Sequence, residues 1–97
     1  MIQMNSKMNK EIINNQKLIQ TFMGLDVTER LIPYHSSLDE LIPVITKIGD
    51  IIINTMEGDN LNTAEKIFEN IEYWLMTNDV KSIYTAVIKF IKWKNKL

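Results

Sequence analysis

The chain reads as an all-α protein, a small bundle of about four helices. Three observations predict it. Apolar residues recur at helical spacing in four separate stretches. Capping residues or glycine stand at the ends of those stretches. The links between them are short, which favours antiparallel neighbours. The competing reading is α+β, with a short two-stranded sheet made of 50–54 and 72–77 and packed by helices.

The elements follow in order. Residues 1–6 read as a disordered N-terminus, and 7–97 as a single helical domain. From Lys7 to Met23, Met8, Ile12, Ile19, Phe22 and Met23 fall near one helical face, and Gly24 stops the helix. Residues 25–35 form a connector containing Pro33. Ser37-Leu38-Asp39-Glu40 has capping-box spacing, with the Ser37 hydroxyl able to accept from the Glu40 N–H. Leu38, Leu41, Ile42, Ile45, Ile48 and Ile52 then repeat at helical spacing over 38–55. Pro43 removes one backbone hydrogen bond and is expected to kink this helix, and Gly49 weakens it. Adjacent β-branched residues make 50–54 the most strand-like piece of the chain. Glu57-Gly58-Asp59-Asn60 is a turn signal, and Asn62-Thr63-Ala64-Glu65 offers a capped start for a helix over 63–77. Ala64, Ile67, Phe68, Ile71, Trp74 and Leu75 follow the helical template there. Asn78-Asp79 breaks and recaps the chain. Val80, Ile83, Tyr84, Val87, Ile88 and Ile91 form the core stripe of a last helix over 80–95. Ala86, Phe90, Trp93 and Leu97 form a second stripe, to be read as core or as the interface of a homo-oligomer.

Composition narrows the function classes. Ninety-seven residues close one core and leave little apolar area to spare. With no cysteine, disulfides and thiolate metal sites are excluded. No apolar run approaches the roughly 18 residues of a membrane span, and residues 1–10 lack the apolar core of a signal peptide. A cytoplasmic protein with no membrane association is the expectation. The net charge of −1 hides a strong polarity. Residues 39–79 carry nine acids against Lys47 and Lys66, whereas 80–97 carry five lysines and no acid.

Catalytic equipment is sparse. The one histidine, His35, sits in Tyr34-His35-Ser36-Ser37 near Asp39 and Glu40. One histidine with carboxylates is a weak set for a transition metal. A Ser36 or Ser37 nucleophile with His35 as base lacks a glycine elbow or oxyanion signature. The simpler reading has this segment capping a helix, with Tyr34 and His35 packed at its start. Gly24, Gly49 and Gly58 are too scattered for a phosphate loop, and Glu57, Asp59 and Glu65 do not match a calcium loop. The expectation is therefore no enzyme, with no catalytic residues, cofactor or metal.

Two charged stripes remain as candidate partner-binding residues. Lys81, Lys89, Lys92 and Lys96 lie within about 80° of one another on a helical wheel, flanked by Trp93. A basic stripe beside an aromatic ring can contact phosphate and stack on a base, which makes RNA a candidate contact. The plainer reading is a solvated face whose cations suit a helix C-terminus. Glu65, Glu69 and Glu72 form the opposite stripe, able to engage a basic groove on a partner protein. Solvation, or pairing with the lysines of the last helix, is the plainer reading there.

Tyr34-His35-Ser36-Ser37 with Asp39, then Leu41-Ile42-Pro43-Val44-Ile45 and Lys47-Ile48, resembles a group of small bacteriophage and prophage proteins. Their corresponding stretch reads Tyr-His-Ser-Ser-Trp-Asp, then Leu-Met-Pro-Val-Val-Glu-Lys-Ile. A second shared block is Ile83-Tyr84 with Ala86-Val87-Ile88 and Phe90-Ile91-Lys92-Trp93, and the helix end Leu18-Ile19 with Phe22-Met23-Gly24 is also similar. The likeness covers about half the chain in separated blocks. It departs at Leu38, where tryptophan is usual, and at Lys94, where tyrosine is usual. The resemblance implies an accessory phage or prophage gene product, from a group to which no enzymatic activity is assigned. By association it implies an anti-defence role, such as an anti-CRISPR inhibitor that binds a host defence protein or ribonucleoprotein.

Overall fold

A computed structural model describes the backbone of residues 2–27 and 30–97, with side chains described from Lys10 onward. The chain is a small all-α bundle of four helices: α1 (Ile2–Phe22), α2 (Leu38–Thr55), α3 (Gly58–Met76) and α4 (Val80–Asn95). Among the described residues there is no strand. The strand-prone segment 50–54 continues α2, and 72–76 continues α3. Ile48 and Ile52 are four residues apart and both buried, so helical packing overrides the β preference of the Ile-Ile-Ile run. Its outermost member, Ile53, is 80% exposed.

Two helix starts differ from the sequence expectation. The first helix begins at Ile2, within the residues read as a disordered terminus, and no proline or glycine precedes Gly24 to interrupt it. The Met8 side chain, expected on the core face, lies outside the described residues. The third helix begins at Gly58 rather than near Thr63, so the turn signal Gly58-Asp59-Asn60 becomes its first turn. Leu61 in that turn packs against the core and its N–H bonds the Glu57 carbonyl, which holds the extra turn in place.

The other termini follow the sequence signals. Gly24, at φ +75°, ends α1 with paired bonds from Gly24 N to Thr21 O and from Leu25 N to Gln20 O. Asn78, at φ +56°, repeats this geometry at the end of α3, with Asn78 N bonded to Leu75 O and Asp79 N to Trp74 O. Asp79 then caps α4 by accepting from Ser82 N at 3.1 Å. Ser37 caps α2, its hydroxyl accepting from Glu40 N at 3.4 Å. Pro43 sits inside α2 with both its side chain and Asp39 exposed, so the carbonyl it leaves without a helical donor is at the wet surface.

The α3–α4 pair forms the most extensive helix contact. The first helix packs on α4, and α2 on both α3 and α4. The core is mostly isoleucine: Ile19, Ile48, Ile71 and Ile83 are fully inaccessible, together with Leu41, Val44, Val87 and Phe90. Each such side chain contributes about 1.5–3 kcal/mol on burial. Ile42, counted on the α2 stripe, is instead 48% exposed, and Val44 takes the buried position.

Candidate functional site

The connector between α1 and α2 is fixed by a side chain that the apolar pattern passes over. Gln20 is 1% exposed. Its Nε2 donates to the Asp26 carbonyl at 3.0 Å and the Arg30 carbonyl at 3.1 Å, and its Oε1 accepts from Ile32 N at 2.7 Å. One turn earlier, the buried Gln16 donates its Nε2 to His35 Nδ1 at 2.8 Å. Lys47 of α2 donates its ammonium to the Phe22 carbonyl and lies 4.8 Å from the centre of the Phe22 ring, tying the end of α1 to α2. Tyr34 is buried, as expected of a side chain packed at the start of α2, whereas His35 is exposed and serves α1 instead.

With His35 held against Gln16, a cavity of about 560 Å³ opens between α1 and α4. Ile12 and Asn15 of α1 face Tyr84 and Ile88 of α4 across it, and His35 closes one side, its ring 6.3 Å from that of Tyr84 in an edge arrangement. Lys81 and Lys92 of the basic stripe stand in its wall, with Glu11 opposite on α1. The Tyr84 residue is 9% exposed, and among the described residues its hydroxyl has no partner of full hydrogen-bond geometry. Burial pushes its phenol above the ordinary range; Asn15 approaches closely enough to oppose the rise, and the Glu11 carboxylate adds to it.

The lysines read from the sequence are all on the surface. Lys81, Lys89, Lys92 and Lys96 are exposed, and among the described residues none of the four pairs with a carboxylate. Lys81 and Lys89 also border a second, shallower depression with Asn70 and Trp74 of α3. Trp93 is half-buried and packs on Phe90, with ring centres 5.8 Å apart. The ring therefore flanks the lysines with one part committed to the core.

Glu65, Glu69 and Glu72 are exposed as well, but they border the α2–α3 groove beside Ile52, Ile53 and Phe68. The two charged stripes thus border different grooves, and of the two plainer readings of the acidic stripe, solvation or pairing with the lysines, the exposed side chains fit solvation. The second apolar stripe of α4 also divides. Phe90 is fully buried, Ala86 and Trp93 are partly buried, and Leu97 is 62% exposed, so the stripe is core rather than a continuous outer face. Trp74 packs against the core edge and meets Tyr73 edge-on at 4.8 Å.

Among the described residues no group of His, Asp and Glu converges to hold a metal ion, and no helix is long and apolar enough to cross a membrane. Sequence reasoning missed Ile12, Asn15, His35 and Tyr84 as members of one cavity. The available signal was the spacing of Ile12, Gln16 and Gln20, which sets polar side chains on the apolar face of α1 and marks a place where that face meets something other than pure core. Compared with known protein families, curated proteins and solved structures, the chain matches none.

Proposed function

We propose that the chain is a non-catalytic binding protein whose working surface is the basic face of α4, and that its partner bears phosphate. The concrete version is a phage- or prophage-derived inhibitor of a host defence complex, an anti-CRISPR protein acting on an RNA-guided nuclease from within the bacterial cytoplasm. The observation that carries the proposal is the row of exposed lysines, Lys81, Lys89, Lys92 and Lys96, without carboxylate partners among the described residues. Four like charges on one helix face repel one another, and a phosphate backbone relieves that repulsion while releasing its own counterions. The resemblance of Tyr34-His35-Ser36-Ser37 and Phe90-Ile91-Lys92-Trp93 to phage proteins supplies the biological setting. The same lysines favour a second reading, a small nucleic-acid-binding accessory protein that needs no protein partner.

The test uses Lys89→Gln, Lys92→Gln and Lys96→Gln combined, with Glu65→Gln, Glu69→Gln and Glu72→Gln combined as the contrast. Binding to short single-stranded RNA, to a DNA duplex and to a guide-loaded nuclease is measured at two salt concentrations. The lysine variant is expected to keep its helical circular dichroism and lose affinity. Its log–log salt slope should flatten by about one unit per lost phosphate contact on duplex DNA and somewhat less on single strands. The glutamate variant should bind as the parent does. Wild-type affinity in the lysine variant overturns the proposal. Binding to free nucleic acid without inhibition of the nuclease selects the accessory reading.

A further inference from the structure

We propose that this chain binds a second copy of itself, with the lysine row of α4 on one copy laid parallel to the glutamate row of α3 on the next. The inference goes beyond the phosphate reading and does not depend on it. Lys89, Lys92 and Lys96 are exposed on one face of α4, and Glu65, Glu69 and Glu72 are exposed along α3. Among the described residues none of the six takes part in an ion pair. Within one chain the two rows border different grooves, so each keeps a charge that a neighbouring copy can match.

The spacing sets the register. Lys96 lies seven residues beyond Lys89 and Glu72 seven beyond Glu65, about 10.5 Å along the axis in each helix. The middle members, Lys92 and Glu69, come three and four residues along, so in a parallel pair they differ in height by only about 1.5 Å. The helical wheel fixes what stands beside them. Lys92 and Trp93 turn about 60° and 40° to opposite sides of Lys89, and Phe68 and Glu69 turn about 60° and 40° to opposite sides of Glu65. Facing the helices parallel puts Lys92 on the side of Glu69 and Trp93 on the side of Phe68. Antiparallel packing matches the heights as well but sets Trp93 and Phe68 on opposite sides. Phe68 is partly buried in the α2–α3 groove, which Ile53, 80% exposed, also lines. Trp93 keeps part of its ring exposed, and Leu97, 62% exposed, follows one turn later. Apolar surface on each copy lies beside its charged row, where contact with the other copy removes it from water. A contact of α4 with α4, or of α3 with α3, would face like charges. The unlike contact leaves one free row at each end and can extend head to tail.

The experiment is sedimentation velocity on the whole chain at low salt and at about 0.5 M salt, where charges are screened within about 4 Å. Exposed ion pairs contribute little each, so the contact is weak and is read at about 100 µM protein. The parent is expected to sediment faster as its concentration rises at low salt, and as a monomer at high salt. Lys89→Gln, Lys92→Gln and Lys96→Gln combined should be monomeric alone. Glu65→Gln, Glu69→Gln and Glu72→Gln combined should be too, both with the circular dichroism of the parent. Mixed in equal amounts, the two variants restore one junction, because the first keeps the glutamates and the second the lysines. The mixture should therefore stop at a one-to-one pair. Ile53→Ala should weaken the association of the parent about five-fold through lost apolar contact. A parent that is monomeric under all conditions overturns the inference and leaves the phosphate reading standing, since that reading is judged by nucleic-acid binding. Association that survives in either combined variant places the contact elsewhere and overturns the inference. So does a mixture that stays monomeric, and so does an Ile53→Ala protein that associates as the parent does.

Discussion

The Gln20 amide and the Tyr84 hydroxyl are both held away from water, the first at the connector end of α1 and the second in a wall of the α1–α4 cavity. Gln20 closes three bonds to the backbone of the connector. Tyr84 closes none of full geometry among the described residues. A buried polar group with every bond made holds the chain in one conformation, whereas one met by Asn15 alone holds its neighbours less firmly. The comparison separates a locked joint from a looser one. It also reassigns the only histidine, whose bond to Gln16 makes it a strut beside the cavity.

The largest expected effect is at the satisfied end. Gln20→Leu keeps the volume but strands the Ile32 N–H and the Asp26 and Arg30 carbonyls of a buried network. The variant is expected to lose about 3 kcal/mol in urea unfolding. A loss well under about 1 kcal/mol would mean that the connector finds water instead, and the contrast with Tyr84 would collapse.

At the unsatisfied end the effect is smaller and depends on pH. Tyr84→Phe removes no completed bond, so neutral-pH stability should stay within about 0.5 kcal/mol of the parent. Burial raises the folded-state pKa of both Tyr34 and Tyr84 above the ordinary phenol value of 10.0, so the folded protein holds these protons more tightly than the unfolded chain. Their contribution is complete below the unfolded value and is lost as pH rises above 10.0 through the folded values. The parent should therefore destabilise on the alkaline side, and Tyr84→Phe should destabilise less steeply. Identical urea midpoints for the two proteins from pH 8 to about pH 11 would show that Tyr84 ionises as freely folded as unfolded.

The remaining effect is a gain rather than a loss, and it lies in the α2–α3 groove, which Gly49 lines. A Cβ added at Gly49 would meet Phe68 Cζ at 3.5 Å, an ordinary contact. Gly49→Ala should raise stability by about 0.5–1 kcal/mol through helix propensity, read from the thermal midpoint. Destabilisation there would mean that α2 and α3 are as intolerant of added atoms as a fully packed core.

Much of this was legible in the sequence. Four periodic stretches gave the four helices, and Ser37, Gly24, Asn78 and Asp79 marked ends that the backbone uses. The start of α3 was obscured because Gly58, Asp59 and Asn60 have turn propensity, whereas the packing of the partly buried Leu61 against the core is a tertiary contact. The charged stripes were visible because residues on one face of one helix need no tertiary knowledge. The cavity was not, because it is defined by two helices from distant parts of the chain, and periodicity says which face is apolar without saying how closely the facing helix approaches. Asn15 and Tyr84 read separately as a polar helix residue and a core aromatic; their meeting is a tertiary fact.

The helix links carry a consequence for how the molecule assembles. The α3–α4 hairpin is closed by Thr77, Asn78 and Asp79 alone, so its contacts join near neighbours in sequence. The contact of α1 with α4 must instead span the whole of α2 and α3. Short-range contacts form with less loss of chain entropy and form sooner. The hairpin is the natural early unit and the docking of α1 the late one. The cavity comes into being only with that last step, so its two walls meet only when α1 has docked on a hairpin that can already close by itself.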